Sequence, residues 1–336
     1  MSRKAVLCAL TVILFAIGAF PAVSALTSLG AAPSAQSSSD GVVFAPRDNP
    51  LQIALLRWYP ANLTTQFAVG GRPQCLAFDG QHIWIANQGS NNVTELEAST
   101  GARLGTFAVA SGPYGVAFDG ANIWVSNALS NSVTKLRASD GTSIRTVGVG
   151  GVPTGMAFDG ANIWVANLGS NNVTKLRASD GTTLGVFSVG TNPDAVAFDG
   201  TDIWVANTAT NNLTKLRPSD GVILGTFPVG SYPSGLAFDG TNMWVANLTS
   251  NNVTKLLAST GRVLGTFPVG AAPPGVAFDG RLIWVANAGS NNVMTLDPNT
   301  GAILGTFPVN GSPNFVAFDG ANIWVTDFTG NTVAKL

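Results

Sequence analysis

The sequence predicts an all-β fold closed into a ring, a seven-bladed β-propeller with four antiparallel strands per blade. Three observations predict it. Phe-Asp-Gly recurs seven times from Phe78 to Phe318 at a constant spacing of 40 residues, with Trp84 to Trp324 following in register. Each unit holds four short apolar runs separated by turn residues. The chain also enters and leaves the repeat in complementary phase. Periods of this length belong to propellers and solenoids.

One unit shows why the elements are strands. Its apolar runs are Val116-Ala117-Phe118, Ile123-Trp124-Val125, Val133 to Leu136 and Ile144 to Val149. Between them stand Asp119-Gly120, the Asn/Ser-rich 127–132, Asp140-Gly141 and Gly150-Gly151. Short β-rich runs bounded by such turns read as consecutive hairpins. The runs are apolar at adjacent positions, as in a sheet covered on both faces. Four-stranded blades stacked around an axis meet that condition.

The ends decide between ring and solenoid. After Phe318 the chain supplies three strands and reaches Leu336. Before Phe78, "TTQFAVG" at 64–70 aligns on "LGTFPVG" at 224–230. The N-terminal strand 64–70 therefore closes the last blade, and the propeller occupies 61–336. A solenoid would need polar caps at its ends.

Ahead of the ring, Arg3 and Lys4, the apolar run Ala5 to Phe20 and Val23-Ser24-Ala25 read as a signal peptide over 1–25. The small, polar 26–49 reads as a flexible linker. Asn49, Pro50 and Pro60 frame a short N-terminal helix over 50–60. Aligned at the repeat period, Ile53 falls on Val93, so an extra strand stays open there. Export to the periplasm, the extracellular space or the cell surface is the expectation. No transmembrane span is expected after cleavage, and a monomer is.

Charged residues make up only 10% of the chain, and the formal net charge is −1. With no basic block, nucleic acid is not an expected partner. At 46% apolar residues, the composition is not that of a disordered chain.

Positions alike in every unit are expected to build the ring. Each Asp from Asp79 to Asp319 should accept hydrogen bonds from its own hairpin turn, beside a Gly supplying positive φ. The tryptophans should pack between blades. Asn87, Asn127, Asn167, Asn207, Asn247 and Asn287, with Asp327 in the last unit, should satisfy backbone groups in the loop to strand three. Lys135, Lys175, Lys215, Lys255 and Lys335 read as solvated strand-edge charges, with Glu95 and Thr295 in the other two units. Cys75, where most units have a small residue, reads as space-filling.

Variation concentrates in the loops joining strand four to strand one and strand two to strand three. In a propeller both emerge on one face, around the channel mouth. Loops on a rigid scaffold are where binding sits, and Tyr and Arg are favoured contact residues. The candidate ligand-binding residues are Arg72, Gln74, Tyr114, Asn192, Asp194, Tyr232 and Asn314, for a protein, glycan or small-molecule partner. The sequence has no nucleophile elbow, metal-ligand cluster or phosphate loop. No catalytic residue, cofactor or metal is therefore assigned. Its one histidine, His82, falls in a turn on the opposite face.

"PYGVAFDGANIWVSNALSNSVTKLRASDG" resembles the YVTN or YncE-like repeats of seven-bladed propellers. The likeness spans 64–336, with one departure: Ile-Trp-Val stands where the family usually has Tyr-Val. The resemblance implies an exported or cell-surface protein with a binding role. Other propellers, lactonases and streptogramin lyases, use acidic or His residues around a channel metal. A metal-assisted hydrolase or lyase at the central channel is thus the alternative expectation.

Overall fold

The structure is a computed structural model that describes residues 65–336; the signal peptide, linker and short helix read from the sequence lie outside the described residues. Twenty-eight strands, β1 to β28 in chain order, form seven four-stranded antiparallel sheets among the described residues. No helix there is long and apolar enough to cross a membrane. Blade 1 is representative: β2 (Pro73–Phe78), β3 (His82–Asn87), β4 (Asn92–Glu97) and β5 (Arg103–Ala108), running from the axis outward. Its first three strands are buried along nearly their whole length, and its outer strand alternates exposed and half-buried.

Blade 7 takes its outer strand from the other end of the chain. β26 (Pro313–Phe318), β27 (Ile323–Asp327) and β28 (Thr332–Lys335) are completed by β1 (Thr65–Ala68). The register pairs Thr65 with Lys335, Phe67 with Val333 and Ala68 with Thr332. Phe67 packs on Trp324 with ring centres 5.5 Å apart and lies against Gly101 of blade 1. Phe107 does the same within the repeat, stacking on Trp84 at 5.4 Å and lying against Gly141 of the next blade. The N-terminal strand thus reproduces an internal contact of the ring.

The repeated residues act as expected for Asp. In every blade its Oδ1 accepts two backbone N–H groups of its own turn, as Asp159 does from Ala161 and Asn162. Its Oδ2 accepts the indole N–H of the same blade's Trp at 2.7–2.8 Å, a contact not foreseen from the sequence. A buried indole needs an acceptor, so this bond fixes the ring that fills the blade.

Two expectations are corrected. Four of the repeated lysines are buried, with Lys135 and Lys215 only 6% and 7% exposed, and Lys335 is half-buried. Each Nζ sits 5.0–5.4 Å from the ring centre of its blade's Trp. Each also donates to a backbone carbonyl in the next blade's outer turn: Lys135 to Ala178, Lys175 to Pro218, Lys215 to Ala258, Lys255 to Pro298 and Lys335 to Ala98. They latch one blade to the next, which a period-two reading of an edge strand could not reveal. The repeated Asn residues, in turn, donate to side chains of the following strand; Asn87 Nδ2 gives bonds of 2.8 Å to Asn92 Oδ1 and Thr94 Oγ1.

The latch is missing at two junctions. Thr295 has no hairpin turn to reach, because the third and fourth strands of blade 7 come from opposite ends of the chain. Glu95 faces a turn that exists, at Ala138, and instead meets His82 Nδ1 at 3.2 Å. Burial raises the Glu95 pKa, partly offset by His82. Glu95→Lys should therefore stabilise the fold by about 1–2 kcal/mol, and Lys255→Met should cost about 1.5–3 kcal/mol, the range for hydrogen bonds to charged groups. Urea unfolding of the two variants checks both signs.

Candidate functional site

A buried Pro opens each inner strand, from Pro73 to Pro313, at its end nearest the varied loops, except in blade 6, where Pro273 lies two residues ahead of the strand. The residue two places on is Gly in four blades, where a Cβ would strike the next inner strand's backbone: Gly115 against Thr154 O, Gly155 against Asp194 O, Gly235 against Pro274 O and Gly275 against Asn314 O. Blades 1, 4 and 7 carry Cys75, Ala195 and Phe315 instead. The position between Pro and Gly differs in all seven blades: Gln74, Tyr114, Thr154, Asp194, Ser234, Pro274 and Asn314. Equivalent positions in a ring share one height, so these residues form a single non-repeating layer at the channel mouth.

Side chains of this layer reach one another across blades. Asn314 Nδ2 donates to Gln74 Oε1 at 2.7 Å, and Gln74 Nε2 to Gln88 Oε1 at 3.1 Å. The Tyr114 ring meets Phe315 edge-on, with centroids 6.2 Å apart. The Tyr114 phenol and the Asp194 carboxyl, two blades apart, each shift the other's titration. Between and beside them, Thr154 Oγ1 donates to Pro193 O at 3.3 Å and Ser234 Oγ to Pro274 O at 3.2 Å. Those hydroxyls tie blade to blade rather than face a ligand.

Electrostatics single out Asp194, which is 8% exposed. Burial pushes its carboxyl up to about 7, against a lowering by the Tyr114 hydroxyl. The Tyr114 phenol is held well above its ordinary range by burial first, then by Asp194 and Tyr232. A carboxyl titrating near neutrality beside a phenol can exchange a proton with a bound molecule, or hold a positive one.

Above the layer, the loops are fixed by the repeat. Arg72, Asn192 and Tyr232 occupy the same loop position with φ of 51°, 54° and 57°. Each backbone N–H is clamped by an Asn side chain: Asn331 holds Arg72, Asn171 holds Asn192 and Asn211 holds Tyr232, at 2.8–2.9 Å. Because the backbone is set by this clamp, the side chain there can vary without cost to the loop. The Arg72 guanidinium lies 5.9 Å over the Phe328 ring, and Tyr232 is 43% exposed.

Of the candidate residues, the structure thus brings Gln74, Tyr114, Asp194 and Asn314 into one layer and puts Arg72, Asn192 and Tyr232 on the rim above it. Sequence reasoning passed over Thr154, Ser234 and Pro274, although reading down the column after each Pro finds them, and Phe315 in the column beside it. Asp327, the other rim acid, is taken up by its own loop, accepting N–H groups of Ser312, Thr329 and Gly330 at 2.9–3.1 Å. His82 sits in the Asp79 turn, 3.2 Å from Asp79 and from Glu95, at the far end of the inner strand. Among the described residues, no group of three or more His, Cys, Asp or Glu is placed to hold a metal ion.

Comparison with solved structures finds propellers. A catalytically inactive histidine-to-alanine variant of virginiamycin B lyase from Staphylococcus aureus, with quinupristin, is 17% identical, with a TM-score of 0.70 over 81% of this chain and 98% of its own. A streptogramin B lyase structure is 19% identical, with a TM-score of 0.70 over 81% and 96%. Kuenenia stuttgartiensis hydrazine synthase is 19% identical, with a TM-score of 0.67 over 80% and 94%. At these identities the likeness is one of fold. No family model and no curated protein matches the sequence.

Proposed function

We propose that this chain is an exported binding propeller whose ligand sits at the channel mouth, on the layer from Gln74 to Asn314 and beneath the loops carrying Arg72, Asn192 and Tyr232. The observation that carries this reading is the contrast between frame and layer. Asp, Trp, the αL Asn and, in five blades, Lys recur in fixed roles, while seven equivalent positions at one height carry seven different side chains. Such a layer can be asymmetric only where the ring does not need it.

The streptogramin lyase neighbours favour a second reading, catalysis in the channel. Tyr114 and Asp194 would serve it as an acid–base pair. Metal-assisted chemistry is not supported by the donor set, which at this height has one carboxylate. The lyase variant is inactive with its histidine replaced by alanine, whereas the histidine of this chain, His82, lies at the opposite end.

A thermal-shift screen of sugars, amines, carboxylates and short peptides tests the binding reading. Compounds that stabilise the wild-type protein should lose their effect in Gln74→Ala/Asn314→Ala and in Tyr232→Ala. Their effect should survive Asn162→Ala on the opposite face. Hits indifferent to the channel-mouth variants would refute it.

A further inference from the structure

Asp194 is set apart from the other buried acids by what answers its charge. Asp202 meets Lys215 Nζ at 2.9 Å, and Glu95 meets His82 at 3.2 Å. Asp319 accepts two backbone N–H groups and the Trp324 indole, and Asp327 accepts several N–H groups of its loop. Asp194, 8% exposed, is lowered only by the Tyr114 hydroxyl, and among the described residues no Lys, Arg or His forms an ion pair with it. The neighbouring polar groups are engaged elsewhere: Thr154 and Ser234 on carbonyls, Gln74 and Asn314 on each other. Leaving a carboxylate buried without a counter-charge is costly, and such a group is most useful where the missing charge arrives with a ligand.

The surroundings specify which charge. Tyr114 stands edge-on to Phe315, and Tyr232, 43% exposed on the rim, raises the Tyr114 phenol electrostatically. Aromatic rings around one carboxylate suit an organic cation, which gains from ring faces as well as from the charge. A divalent metal would want several hard oxygens, and here a single carboxylate is on offer. A guanidinium prefers both oxygens of a carboxylate at once, whereas Tyr114 already addresses this one. We infer that the channel mouth binds an ammonium group, with Asp194 as its counter-charge and Tyr114 and Tyr232 as its aromatic walls. The ammonium can belong to a free small amine or to a lysine side chain of a peptide. This rests on the channel mouth being the binding site and adds the sign and class of the ligand.

Calorimetric titration of the full chain tests it at about pH 8, where the carboxyl is ionised. The probes are n-butylammonium, Nα-acetyl-lysine amide, neutral n-butanol and n-butyrate. Butylammonium should bind at least about tenfold more tightly than butanol or butyrate, and Asp194→Asn should weaken it by at least about tenfold. Asp194→Asn removes a buried charge, so its melting temperature should not fall, and lost binding will not reflect lost folding. If acetyl-lysine amide binds more tightly than butylammonium, the source is a peptide; the reverse points to a free amine. Equal binding by Asp194→Asn, equal binding of butanol or butyrate, or no binding of either ammonium probe up to about 10 mM overturns the inference. If butyrate or butanol binds in a Tyr232-dependent way while the amines do not, the site stands and the charge assignment falls. If no probe and no compound of the thermal-shift screen depends on the channel-mouth residues, both fall.

Discussion

Deleting residues 65–68 is expected to open the last blade and lower the melting temperature by more than about 10 °C. All four residues of β1 pair with β28, so the deletion turns β28 into an unpaired edge. It also removes Phe67 from between Trp324 and Gly101, where the ring fills the junction of blades 7 and 1. Truncating a buried Phe typically costs about 3–5 kcal/mol, so Phe67→Ala alone should account for a large part of the loss. Blade 7 then stays tied to blade 1 by Lys335 to Ala98 and Ser99 at the outer turn, and by Asn331 to Arg72 and by Asn314 and Thr326 to Gln74 nearer the axis. Against a total stability of about 5–15 kcal/mol, losing the closing strand is severe. Phe107→Ala should cost a similar amount by packing while leaving the ring shut, so the deletion should be the worse of the two. A deletion variant that melts with the wild type would refute closure by β1.

The second large effect is on pH dependence. The carboxyl of Asp194 goes from an ordinary 3.8 to about 7 on folding, so the folded protein binds this proton more tightly than the unfolded chain. Stability from this group is complete below about pH 4 and is lost as pH rises to about 7, amounting to about 4 kcal/mol. Glu95, also raised by burial, adds a smaller slope of the same sign. Asp140, Asp180, Asp220 and Asp297 are lowered, chiefly by backbone N–H groups, and act in the opposite sense only below about pH 4. Asp194→Asn should flatten the profile between about pH 4 and pH 7 and should be more stable than wild type at about pH 8. Denaturant unfolding across that range is the check, and a wild-type profile that rises toward pH 8 would be incompatible with a buried, unpaired carboxylate.

How much of this was legible in the sequence differs by scale. Period, turn residues and the phase of the two ends specified blades and closure, because a strand that pairs must be written somewhere. The Asp of each Phe-Asp-Gly was readable as a turn acceptor for the same local reason. The lysine latches were not, since Lys135 and Ala178 are 43 residues apart and meet only once blades stack. For the site, the repeat itself supplied the comparison: Tyr114 and Asp194 stood out as departures within a column. That Tyr114 and Asp194, two blades apart, act on each other depends on distances around the ring. No spacing along the chain encodes those.

The state of one carboxyl group decides whether the channel mouth is an anionic site. A carbon-13 NMR titration of Asp-labelled protein, with the Asp194→Asn variant used to assign the resonance, reads it without reference to stability. Asp194 should titrate at about 7 in the free protein and move downward when n-butylammonium is added. Titration in the ordinary carboxylate range, near pH 4, with no response to the amine would contradict a buried anionic site at the channel mouth.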